Sequence, residues 1–65
     1  MQGNLSKRYL SETEVADHTG IAVSTLRNYR HLGKGIPYIK MGSRVLYDLS
    51  DVEEFMQSHK IQIYQ

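Results

Sequence analysis

The strongest constraint on this chain lies in residues 12–26, ETEVADHTGIAVSTL. Two short helices packed steeply against each other leave no room for a large side chain at the fifth position of that stretch, where Ala16 stands. The tight turn between them needs a positive φ at the ninth, where Gly20 stands. Ile21 and Leu26 then fall where side chains plug the angle between the helices. Four positions agree at fixed offsets, which is the pattern of a helix-turn-helix. A helical hairpin that merely contains Ala and Gly shares part of it.

The flanking residues extend the pattern. Ser11 with Glu14 three residues later predicts a capping box, opening a first helix over 12–19 with Val15 and Ala16 inward and Gly20 as its end. Ser24 is expected to cap the second helix. At about 100° per residue, Leu26, Tyr29 and Gly33 share its inner face, while Ser24, Arg27, Asn28 and His31 share the outer one. Residues 36–41 and 44–47 are rich in Ile, Tyr, Val and Leu around Gly42-Ser43. They read as a proline-led hairpin whose first turn residue has positive φ, with Met41, Val45 and Tyr47 pointing inward. Asp48 is placed to cap a last helix with Asp51 at its third position and a stripe of Leu49, Val52, Phe55 and Met56. The expected fold is a small α+β one, a winged helix-turn-helix with three helices and a two-stranded hairpin wing over residues 9–58. Residues 1–8 are expected to be a flexible start. Residues 59–65 form a tail that is either a short strand or disordered.

Composition narrows the function. Sixty-five residues make one domain with a small core. The absence of cysteine excludes a disulfide framework and thiolate metal sites. No apolar run reaches a membrane span and the start lacks a signal-peptide core, so a cytoplasmic protein is expected, with no membrane contact. The net charge of +1 hides its distribution. Residues 24–47 carry Arg27, Arg30, Lys34, Lys40 and Arg44 with no Asp or Glu, a block of +5, while residues 48–65 sum to −3. Such an oriented field steers one face toward phosphates. His18, His31 and His59 are spread over three elements and read as surface histidines. Without a Gly-rich phosphate loop, a nucleophile motif or metal spacing, an enzyme is not expected, nor a metal or a cofactor.

The basic block and the motif together point to double-stranded DNA. The second helix would enter the major groove with its N-terminal half leading. There Ser24 and Thr25 can contact phosphate through hydroxyl or backbone N–H, and Arg27 can pair with phosphate or bidentately with guanine. Asn28 can read adenine or bind phosphate, and His31 extends the same face. Arg30 projects to the flank, for a phosphate contact or a structural ion pair. In the wing, Lys40, Ser43 and Arg44 can lie along or into the minor groove. An ordinary solubilising hairpin tip has the same look. Tyr38 and Tyr47 read as packing residues with a wet hydroxyl. A protein-interaction module remains the alternative from a different class.

The runs YLSETEVADHTGIAVSTLRNY and IPYIKMGSRVLYDLSDVEEF resemble the excisionase-type, MerR-like winged-helix family of small phage and mobile-element proteins. The matching wing and last-helix residues are Pro37, Gly42, Arg44, Tyr47 and Ser50-Asp51-Val52. TLRNY also resembles the TLRYY of MerR-type regulators. The resemblance implies DNA contacts from Arg27 and, through the wing, from Arg44. It implies a recombination directionality factor that binds repeated sites cooperatively with neighbouring copies and recruits a site-specific integrase. A small transcriptional regulator of a mobile element is the second function it implies. No long dimerisation helix or effector domain follows the third helix, so no small-molecule effector is expected.

Overall fold

The computed structural model describes residues 8–63. The expected loose start therefore lies, apart from Arg8, outside the described residues, as do Tyr64 and Gln65 of the tail. The elements are β1 (Tyr9–Ser11), α1 (Glu12–Thr19), α2 (Val23–His31), β2 (Ile39–Met41), β3 (Arg44–Asp48) and α3 (Leu49–Ser58). They form the three helices and hairpin of a winged helix-turn-helix.

α1 begins where its residues dictate. The Ser11 hydroxyl accepts from the Glu14 N–H at 3.2 Å, and the Glu14 carboxylate accepts from the Ser11 N–H at 2.8 Å. Gly20 closes the helix at φ 80°, its N–H bonded to the Ala16 carbonyl. An L-residue in that left-handed conformation costs about 1–2 kcal/mol, so glycine belongs there. The turn is then only Ile21 and Ala22. α2 starts at once, capped by Ala22 with no side-chain cap, and Ser24 sits in its first turn instead of capping it. The Ala22 carbonyl accepts from the N–H groups of both Thr25 and Leu26, which leaves no room for the later start that Ser24 suggested.

The hairpin carries a third strand that the sequence did not announce. Strand order is β1-β3-β2, all antiparallel, with Leu10 opposite Tyr47 and Lys40 opposite Val45. This register corrects the inward set. Met41 pairs with Arg44, so it shares a face with Arg44 and Leu46, opposite to Val45 and Tyr47, and it is exposed. Lys40 takes the face that Met41 was expected to share. Gly33 is likewise not on the inner face of α2. It lies past the helix end and is exposed. Gly35 is the glycine that packing demands, since a Cβ there would meet the Tyr29 Cβ at 2.8 Å, at φ 94°.

Leu10, Val15, Leu26, Ile36, Tyr47 and Val52 form the core, with Ala16, Ile21, Val45, Leu49 and Phe55 packed against it. Asp48 caps α3 by accepting from the Ser50 N–H at 3.0 Å. Met56, at the edge of the α3 stripe, is exposed. Residues 60–63 form no regular structure, and Ile61 and Ile63 point to solvent. No helix among the described residues is long and apolar enough to cross a membrane.

Candidate nucleic-acid interface

The basic block divides by position in the fold. Arg27 and Arg30 from α2 line one recess together with Lys40, Ser43 and Arg44 from the hairpin. The start of α1 supplies the recess with Ser11, Glu12 and Thr13. The register explains how the hairpin reaches it, because Lys40 lies on the β2 face shared with Val45, which also lines the recess. Lys34 lies elsewhere, with its ammonium 5.5 Å from the centre of the Tyr29 ring. Four of the five cations therefore share one depression with a single carboxylate, Glu12.

Glu12 bridges the two arginines. The Arg27 Nη2 and Nε donate to Glu12 Oε2 at 2.5 and 3.2 Å, and Nε also lies 3.3 Å from Oε1. Arg30 Nη2 donates to Oε1 at 3.1 Å. The Arg27 hydrogen bonds hold the Glu12 carboxyl below its ordinary pKa. Partial burial opposes that shift and Arg30 adds to it. The same pairing raises the pKa of Arg27.

The two arginines differ in freedom. The Arg27 side chain is 62% exposed, whereas that of Arg30 is 16% exposed. Arg30 also donates to the Tyr47 hydroxyl at 2.7 Å and lies 5.6 Å over the Tyr38 ring. The flank residue is thus engaged in a structural ion pair, one of the two roles the sequence left open for it. Tyr47 packs as expected, but its hydroxyl is not wet, since the residue is 1% exposed and Arg30 occupies its oxygen.

The remaining candidates stand on α2 outside the recess. Ser24, Asn28 and His31 are exposed, on one helix face with Arg27. Thr25 is half-buried and its backbone N–H donates to the Ala22 carbonyl at 3.0 Å. The sequence reading missed Glu12 as part of the site. The carboxylate is separated from its arginines by 15 and 18 residues, and no local pattern links residues so far apart.

Two of the three histidines make contacts with residues of α3. His18 of α1 pairs with Glu53 of α3 at 2.5 Å, and the His59 ring lies 4.2 Å from that of Phe55. Among the described residues no group of three or more His, Cys, Asp or Glu is placed to hold a metal.

The pattern of the helix-turn-helix domain family matches residues 9–60, from the first residue of β1 to just beyond α3. The chain belongs to that family. No curated protein and no solved structure matched the chain. Within this helix-turn-helix domain, α1 and α2 are the paired helices. Membership points to DNA as the partner, and the recess joins α2 to the hairpin in one cationic surface.

Proposed function

We propose that this helix-turn-helix domain binds double-stranded DNA sequence-specifically, with α2 in the major groove and the β2–β3 wing against the adjacent minor groove. Arg27, with Asn28 and Ser24 beside it, reads bases or grips phosphate. Lys40, Ser43 and Arg44 contact the backbone from the wing, and His31 extends the helix contact. The observation that carries this reading is the convergence of Arg27 and Arg30 with Lys40 and Arg44 on one recess, although they come from elements separated in sequence.

The biological role we propose is that of an excisionase-type factor, bound cooperatively on repeated sites of a mobile element and directing an integrase toward excision. One module of this size covers roughly 600–1,000 Å² of DNA interface, which favours cooperation between neighbours. The exposed Ile61 and Ile63 beyond α3, with the acidic Glu53 and Glu54 on it, supply apolar and anionic surface for a neighbouring copy or the integrase. A small transcriptional regulator would use the same DNA-binding surface, and the arrangement of sites separates the two.

Fluorescence anisotropy with a labelled duplex over a salt series tests the DNA contact itself. Affinity is expected to fall steeply and linearly on logarithmic axes, by about 0.9 per phosphate contacted. Salt-independent binding, or none at low salt, would refute it.

A further inference from the structure

We infer that Glu12 acts as an internal stand-in for a phosphate: it holds Arg27 away from DNA in the free protein, and binding exchanges that carboxylate for the DNA backbone. The inference rests on the DNA-binding reading above and adds to it a residue that sets how readily the surface engages DNA.

Three observations lead there. First, among the described residues Glu12 is the sole carboxylate lining a recess that otherwise holds four cations, three hydroxyls and Val45. Its two oxygens lie between two guanidinium groups, and arginine forks bind carboxylate and phosphate in the same way. Second, the partners are unequal. Arg30 is anchored by the Tyr47 hydroxyl and largely covered, whereas Arg27 is mostly exposed and free to swing outward. When Arg27 leaves, Glu12 keeps Arg30, so the exchange strands no charge. Third, α1 does not need Glu12 to begin, because Ser11 and Glu14 already satisfy the helix start. Of the two contacts, the one to Arg27 ends on a mostly exposed guanidinium, and a pair of that kind adds little to folding, whereas the covered contact to Arg30 stays in place. Loss of the Arg27 contact therefore bears on the recess more than on the fold.

Two consequences follow for the surface. A carboxylate at the mouth of the recess repels phosphate, and it also occupies the arginine best placed to bind phosphate or guanine. Duplexes that offer Arg27 a good partner displace Glu12. Those that offer a poor one leave the pair intact and are bound more weakly.

The test is a double-mutant cycle on a random-sequence duplex at low salt, using wild type, Glu12→Gln, Arg27→Ala and the combined variant. Glu12→Gln is expected to tighten binding roughly 3- to 5-fold in the wild-type background, as removal of one ion pair predicts. In the Arg27→Ala background the gain should be at most about twofold, because the arginine that the carboxylate restrains is gone. Glu12→Ala, which suits a helix, should repeat the gain, with thermal melts confirming that each variant is folded. Equal gains in both backgrounds would make Glu12 a nearby charge only and overturn the inference. So would no gain, or weaker binding. Failure of the wild type itself to bind the duplex would instead bring down the DNA-binding reading, a distinct outcome.

Discussion

Arg27 and Arg30 are three residues apart on one helix, yet their surroundings assign them different work. Arg30 is enclosed by Glu12, the Tyr47 hydroxyl and the Tyr38 ring, and ties α2 to the start of α1 and to β3. Arg27 shares only the carboxylate and is open to solvent. Arg27→Ala should therefore weaken binding to a selected site by about 1–3 kcal/mol and relax its specificity, while the melting temperature stays within a few degrees of wild type. Anisotropy titrations and thermal melts of the two proteins check this. Unchanged affinity would remove Arg27 from the interface.

The same pair makes a pH-dependent contribution. The Glu12 pKa is lowered in the folded state, chiefly by the Arg27 hydrogen bonds. A carboxyl with a depressed folded pKa contributes stability above its unfolded pKa of about 4.3, and that contribution is lost as the pH falls through the lower, folded value. The difference in melting temperature between wild type and Glu12→Gln should thus be present at pH 7 and shrink once the pH falls below the unfolded value of about 4.3 and through the lower folded one. A difference that does not change with pH across the acid range would show that the ion pair is not its source.

At the scale of elements, the paired helices and the wing answer to different residues. Leu26 is 2% exposed and plugs the angle between α1 and α2, so Leu26→Ala removes atoms from the centre of a small core. The expected loss is about 2–5 kcal/mol out of the roughly 3–10 kcal/mol that a domain of this size holds. Circular dichroism should show the variant melting far below wild type or unfolded at 37 °C. Arg44 stands at the exposed start of β3 and takes no part in the core. Arg44→Ala should keep the wild-type melt and weaken binding evenly across sequences, with the salt slope shallower by about 0.9. A change in sequence preference would instead make the wing a reader of bases.

These elements also mark how far the sequence could be read. The capping box, Ala16, Gly20 and the Asp48 cap act through neighbours within four residues, and each stands where its spacing indicated. β1 was invisible because three residues carry too little pattern, and its partner β3 lies more than 30 residues away. Met41 was misplaced because alternation along β2 does not tell which phase faces the core. Only the pairing of Met41 with Arg44 does. Arg27, Lys40 and Arg44 were picked out by type and charge, but the recess that joins them, and Glu12 within it, depends on contacts across the fold.

At the scale of the whole molecule, charge is separated along the chain. Residues 24–47 carry +5 and residues 48–65 carry −3, with α3 and its tail on the acidic side of that division. A domain with a cationic recess and an acidic third helix has an oriented field, which suits an approach to DNA in one orientation. If this surface recognises a DNA sequence, that sequence can be selected. The most direct measurement is selection of binding sites from a random duplex pool, followed by footprinting of the protein on the enriched sequence. One enriched motif is expected, protected as adjoining repeats whose occupancy rises cooperatively. Protection of a single site or a palindrome would favour the regulator over the excisionase. A pool that shows no enrichment at low salt would contradict sequence recognition itself.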